Sequence, residues 1–98
     1  MTSELFIFAR FHAKAGHGSA VASALREVID PTRQEPGCLA IDAFESIRDS
    51  GLFYIQSRWR DEAAFDLHAG LPHTVRFVEK MRAIIDHELD VARTRPLA

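Results

Sequence analysis

Residues 5–11, Leu-Phe-Ile-Phe-Ala-Arg-Phe, and 52–59, Leu-Phe-Tyr-Ile-Gln-Ser-Arg-Trp, are rich in branched and aromatic side chains and read as β-strands. A strand turns successive side chains to opposite faces of its sheet. In the first, Leu5, Ile7, Ala9 and Phe11 share one parity while Phe6 and Phe8 hold the other. In the second, Phe53, Ile55 and Trp59 stand against Leu52 and Tyr54. Both faces of the sheet are therefore apolar, and both need a cover. The helices of one small chain can cover only one face. A second subunit packed sheet against sheet is the simplest cover for the other. The pattern predicts a homodimer joined through its sheet faces.

The remaining elements follow in order. A helix is expected from about Gly18 to Ile29, with Val21, Leu25, Val28 and Ile29 along one side. Asp30-Pro31 then restarts or kinks it, Asp30 as cap and Pro31 as first helical residue. Glu35-Pro36-Gly37 closes the connection, and residues 38–47 form the next strand. Asp49-Ser50-Gly51 is a turn signal, so residues 38–47 and 52–59 pair as a hairpin. A last strand is expected over 87–93, where Leu89 and Val91 alternate with polar neighbours. The order β-α-β-β-α-β is that of the α+β ferredoxin-like fold, an antiparallel sheet with its helices on one face.

Charge and size narrow the function. At 98 residues the chain makes one domain, spanning 1–98, with no repeat or linker. A net charge of -2 argues against nucleic acid or acidic lipid as the main partner. No apolar run reaches the ~18 residues of a membrane span, and no secretory leader is visible. A cytoplasmic protein is expected. The single cysteine, Cys38, excludes an internal disulfide and reads as a small buried apolar residue.

The stretch from Trp59 to Phe77 holds the candidate site. Asp61 can cap a short helix through its side chain. On that helix Ala64, Leu67, His68 and Leu71 follow the i, i+3, i+4, i+7 spacing, which sets His68 in an apolar stripe. Pro72 suits the first position of another helix, with His73 in its first turn and Phe77 one turn on. An indole and two imidazoles thus gather beside the interior. The spacing from His68 to His73 suits no chelating pair, and no cysteine or carboxylate cluster joins them, so no metal site is expected.

Glu35-Pro36-Gly37-Cys38-Leu39, then Trp59 with Asp61, Ala64, Phe65 and His68, then Pro72-His73 and Phe77, resemble the antibiotic biosynthesis monooxygenases, a family that includes quinol monooxygenases. The resemblance covers nearly the whole chain. It implies a dimeric α/β barrel of two ferredoxin-like subunits, each with a pocket between sheet and helices. It also implies an oxygenase acting on small aromatic quinols or polyphenols with O2 and with no cofactor, neither metal nor flavin. The chain departs from the family at Ile41, where a tyrosine is frequent. It departs again at Ala9, where the haem-degrading branch relies on an asparagine.

Such chemistry needs a base near neutral pKa to deprotonate the substrate, and a dry aromatic cavity to hold it. The candidates for catalysis are His68, His73 and Trp59; for substrate binding they are Tyr54, Arg58, Phe65 and Phe77. Arg10, His12 and Asp42 are further polar strand positions within reach of a cavity or a partner subunit. Each has a plain structural alternative: a core or rim histidine, a solvent-facing first-turn residue, a packed indole, an interface tyrosine. The same residues also suit a non-catalytic dimer that binds a small hydrophobic ligand, or a haem-binding relative.

Overall fold

The computed structural model describes residues 3–98. Its elements are β1 (Leu5–His12), α1 (Gly18–Arg33), β2 (Cys38–Glu45), β3 (Leu52–Trp59), α2 (Glu62–Ala69), α3 (Pro72–Ile84) and β4 (Asp90–Thr94). The strands form one sheet in the order β2-β3-β1-β4, each neighbouring pair antiparallel. This is the expected ferredoxin-like α+β fold.

Strand alternation decides what the helices cover. β1 buries Ile7, Ala9 and Phe11, and β3 buries Phe53, Ile55, Ser57 and Trp59. Most of these meet Val21 and Leu25 of α1 and Met81 of α3 in the main core. Ile7, Trp59 and Ala64 form a smaller cluster beneath α2. The opposite parity stays open, with Phe8, Phe44 and Tyr54 respectively 47%, 50% and 40% exposed. Phe44 lies directly across from Tyr54, and Tyr54 across from Arg10. An apolar stripe therefore remains on the outer face of the sheet, as the two-faced pattern requires. Among the described residues no helix is long and apolar enough to cross a membrane.

Several boundaries differ from expectation. α1 runs without a break through Asp30 and Pro31 to Arg33, so Asp30 is no cap and Pro31 starts no helix. Pro31 forfeits one backbone bond close to the helix end, where that loss is small. Thr32, one residue on, is fully buried and its hydroxyl donates to the Val28 carbonyl at 2.7 Å. β2 stops at Glu45 because Ser46 Oγ accepts from the Arg48 and Asp49 amides at 3.1 and 3.0 Å, curling the chain into the hairpin turn. The last strand begins at Asp90 instead of residue 87. Residues 86 and 87 are taken up by β1, since the His12 carbonyl accepts from the Asp86 amide and the His12 amide donates to His87 Nε2.

Two predicted helix starts hold. Asp61 Oδ1 accepts from the Ala64 amide at 2.8 Å and caps α2, and Pro72 opens α3. The apolar stripe on α2 is narrower than its spacing predicts. Leu67 is 71% exposed, and Phe65 takes the inward place, its ring edge against Trp59 at 5.5 Å. Eight residues make little more than two turns, so a small tilt of the helix removes one member of the stripe.

Candidate active site

The site is assembled from the helical layer and the loop before β2. That loop and α2 pack backbone to backbone: a Cβ on Gly37 would overlap Ala64 Cβ, and the Gly37 carbonyl accepts from the Arg60 amide at 2.9 Å. The close approach places Glu35 of the loop against His68 of α2. The first turn of α3 adds His73. Glu35 Oε2 lies 2.8 Å from His68 Nδ1 and 2.7 Å from His73 Nε2, and the three side chains are respectively 9%, 12% and 21% exposed. Thr74 Oγ1 also approaches His68 Nδ1, at 3.2 Å.

His68 is held by aromatic faces. Its ring centroid is 4.6 Å from that of Trp59 and 5.4 Å from that of Phe65. Trp59 is fully buried, its indole N–H donating to Ser57 Oγ at 3.0 Å. Burial pulls the His68 pKa below its ordinary value, and the hydrogen bond and charge of Glu35 oppose that pull without cancelling it. Burial therefore favours the neutral ring.

Beyond it lies an apolar cavity of about 220 Å³ between the inner sheet face and the helices. Ile7, Phe11 and Ile55 line its sheet side, and Phe65, His68 and Phe77 its helix side. His68 is the only titratable side chain in the wall among the described residues; Thr32, Ser57 and Thr74 bring hydroxyls. The Thr32 hydroxyl is used by Val28, and Ser57 Oγ already accepts from Trp59. His73 faces elsewhere, into a polar groove with Glu27, Arg76 and Lys80. Glu35 thus stands between one imidazole on the cavity and another on the groove.

The sequence candidates separate cleanly. His68, Phe65 and Phe77 share the cavity, Trp59 backs His68, and His73 lies outside it, bonded to Glu35 with its ring centroid 6.1 Å from that of His68. Tyr54 and Arg58 do not belong to this cavity. Their parity on β3 is opposite to that of Ile55 and Trp59, which puts them on the outer face. There Arg58 pairs with Glu4 at 2.6 Å and sits over the Phe6 ring. Asp42 pairs with Arg33, and Arg10 is on the outer face. His12 joins Asp86 at 2.6 Å and Asp49 at 3.4 Å, below the hairpin turn.

Glu35 is the residue that sequence reasoning missed, and it corrects the statement that no carboxylate joins the two histidines. It lies 33 residues before His68, so no local spacing reveals it. Its one signal was its place in the Glu-Pro-Gly motif. Glu35 Oε2, His68 Nδ1 and His73 Nε2 all lie within 4.8 Å of one another, close enough to share a metal ion. Hydrogen bonds to the carboxylate satisfy both nitrogens equally well.

Residues 5–80 match the sequence model of a family described as antibiotic biosynthesis monooxygenase. The chain is 33% identical over 97 residues to Rv0793 of Mycobacterium tuberculosis, an alignment covering 99% of this chain and 95% of that protein. Among solved structures, PA3566 from Pseudomonas aeruginosa superposes with a TM-score of 0.91 at 34% identity, covering 100% of this chain and 98% of that one. A crystal structure of an antibiotic biosynthesis monooxygenase gives 0.89 at 32% identity, covering 96% and 99%.

Proposed function

Because the chain belongs to the antibiotic biosynthesis monooxygenase family, we propose that it is a cofactor-independent monooxygenase that oxidises a small aromatic quinol or polyphenol with O2. The observation that supports this is a cavity with apolar and aromatic walls into which one titratable ring is set, that of His68, whose burial favours the neutral form. A phenol bound there gives its hydroxyl proton to His68, and the resulting anion donates an electron to oxygen more readily than the phenol does. For a phenol with a free ring carbon, the substrate supplies four electrons. One oxygen atom becomes a quinone carbonyl at that carbon and the other leaves as water, so the reaction balances with no added reductant. Phe65 and Phe77 offer faces for a flat substrate, and the dry wall shields radical intermediates from water.

The active unit in this reading is a dimer paired through the outer sheet faces, where Phe8, Phe44 and Tyr54 are exposed. Oxygen uptake with a panel of hydroquinones and naphthols, on chelator-treated protein free of flavin absorbance, tests the reading. Uptake matched to quinone formation is expected, with His68→Ala losing on the order of 10²-fold or more. Equal rates in wild type and His68→Ala would refute it. Saturable binding of these compounds without uptake would mark a ligand-binding protein instead.

A further inference from the structure

A neutral imidazole carries one proton on two nitrogens, and only the bare nitrogen can act as a base. Which one faces the cavity decides whether His68 can work at all. We propose that Glu35 is the positioning residue of the site: it holds the Nδ1–H of His68 so that the Nε2 lone pair is left for the cavity, while His73, bonded to the same carboxylate oxygen, limits that hold. The inference rests on His68 being the base.

The geometry carries it as follows. An ionised carboxylate only accepts hydrogen bonds. Both nitrogens within 2.8 Å of Glu35 Oε2 must therefore be N–H donors, Nδ1 on His68 and Nε2 on His73. Thr74 Oγ1 is the other neighbour of His68 Nδ1, at 3.2 Å, and it can accept a share of the same proton. Nε2 is then the nitrogen of His68 that remains for a ligand. A ring flip would put Cδ2 where Nδ1 now meets Glu35, so the carboxylate would lose its donor, and Trp59 and Phe65 pack against the ring to oppose it.

His73 acts through that shared oxygen. The oxygen accepts from both rings, but two N–H dipoles then draw on one carboxylate charge, so His73 moderates the pull of Glu35 on the His68 proton. The titratable groups bearing on the His68 ring are Glu35 and His73. β3 and α2 present it the aromatic rings of Trp59 and Phe65. Arg76 and Lys80 stand with His73 on the groove. Burial raises the Cys38 thiol pKa, and the nearby Glu35 charge adds to that rise. Removing the Glu35 charge should make His68 a weaker base. Removing His73 should make it a stronger one.

Long-range proton–nitrogen NMR spectra of the ¹⁵N-labelled full chain test this without substrate, since they report which ring nitrogen is protonated and the midpoint of titration. Wild-type His68 is expected as the Nδ1–H tautomer. His73→Ala should keep that tautomer and raise the midpoint, and Glu35→Gln should lower it. A wild-type His68 protonated on Nε2, or midpoints that fail to move in opposite directions, would overturn the proposal. Should Glu35→Gln not fold, the wild-type tautomer and the His73→Ala midpoint decide. An Nδ1–H tautomer in a protein that oxidises no phenol would leave the positioning intact and sink the monooxygenase reading instead.

Discussion

Replacing Gly37 with alanine should damage both the fold and the site, because the new methyl has no room. Built on the native backbone, it falls closer to Ala64 Cβ than the 3.0 Å that real Cβ atoms keep, with Ala64 Cα at 3.5 Å and Arg60 Nη2 at 3.8 Å behind it. Ala64 is buried and sits on the helix backbone, so no flexible side chain can swing aside. The loop and α2 must separate by roughly 1 Å to reach the 3.5–4.0 Å at which carbons pack. Overpacking of this kind costs about 1–3 kcal/mol. In a domain of this size each kcal/mol lowers Tm by about 4–8 °C. The same displacement parts Glu35 from His68, now 2.8 Å apart, and a misplacement of about 1 Å can cost on the order of 10²-fold in rate. Urea unfolding of Gly37→Ala, Ala64→Gly and the double variant is the assay. Ala64→Gly alone loses about 1 kcal/mol of helix propensity, but it vacates the space the new methyl needs. The double variant should therefore be more stable than the two losses added together, by about 1 kcal/mol or more. A Gly37→Ala protein within about 0.5 kcal/mol of wild type, or strictly additive losses, would refute the packing argument.

Turnover should rise with pH through a His68 pKa lying below its ordinary 6.5 and level off above it; a rate falling over that range would exclude a neutral imidazole as base. The same depression means that the unfolded chain binds the proton more tightly. Its contribution to folding stability therefore rises with pH between the depressed and ordinary values. His12 behaves oppositely, because Asp86 raises its pKa and His12 lowers that of Asp86. Their pairing supports the fold between those two values and is lost as pH rises through the raised His12 pKa or falls through the lowered Asp86 pKa. Asp86→Asn should flatten the alkaline loss in a Tm-against-pH series, and an unchanged slope would contradict the assignment. Phe8→Glu should weaken the dimer in sedimentation velocity, since Phe8 is exposed on the outer face. A wild-type protein that sediments as a stable monomer at micromolar concentration would defeat the sheet-to-sheet interface.

The fold was legible wherever a local rule acted alone. Alternation in β1 and β3 is read directly from Ile7, Ala9 and Phe11 against Phe6 and Phe8, and the cap at Asp61 and the proline at position 72 mark their helices unaided. Pro31 misled because its cost depends on how near the helix end it falls, a tertiary matter. Leu67 misled because a stripe of ideal spacing assumes a longer helix than the eight residues of α2. In the site, His68 was found through its apolar helix neighbours. Tyr54 and Arg58 were chosen for chemistry against the parity that places them outside. Glu35 was invisible as a partner, since its meeting with His68 depends on two backbones touching at Gly37 and Ala64.

The order β2-β3-β1-β4 also bears on how the protein is made. β1 is a central strand, and one of its two partners is β4, with Phe6 opposite Thr94 and Arg10 opposite Asp90. Closing a loop over nearly the whole chain is among the slowest events available to a small domain. Until it happens, β1 carries a bare edge beside the exposed Phe8, the kind of surface that recruits other chains. Leu89, just before β4, and Val91, within it, also form part of the cavity wall. Contact order thus predicts that the earliest strand in the sequence is the last to gain its second neighbour, with the pocket completed in that same step.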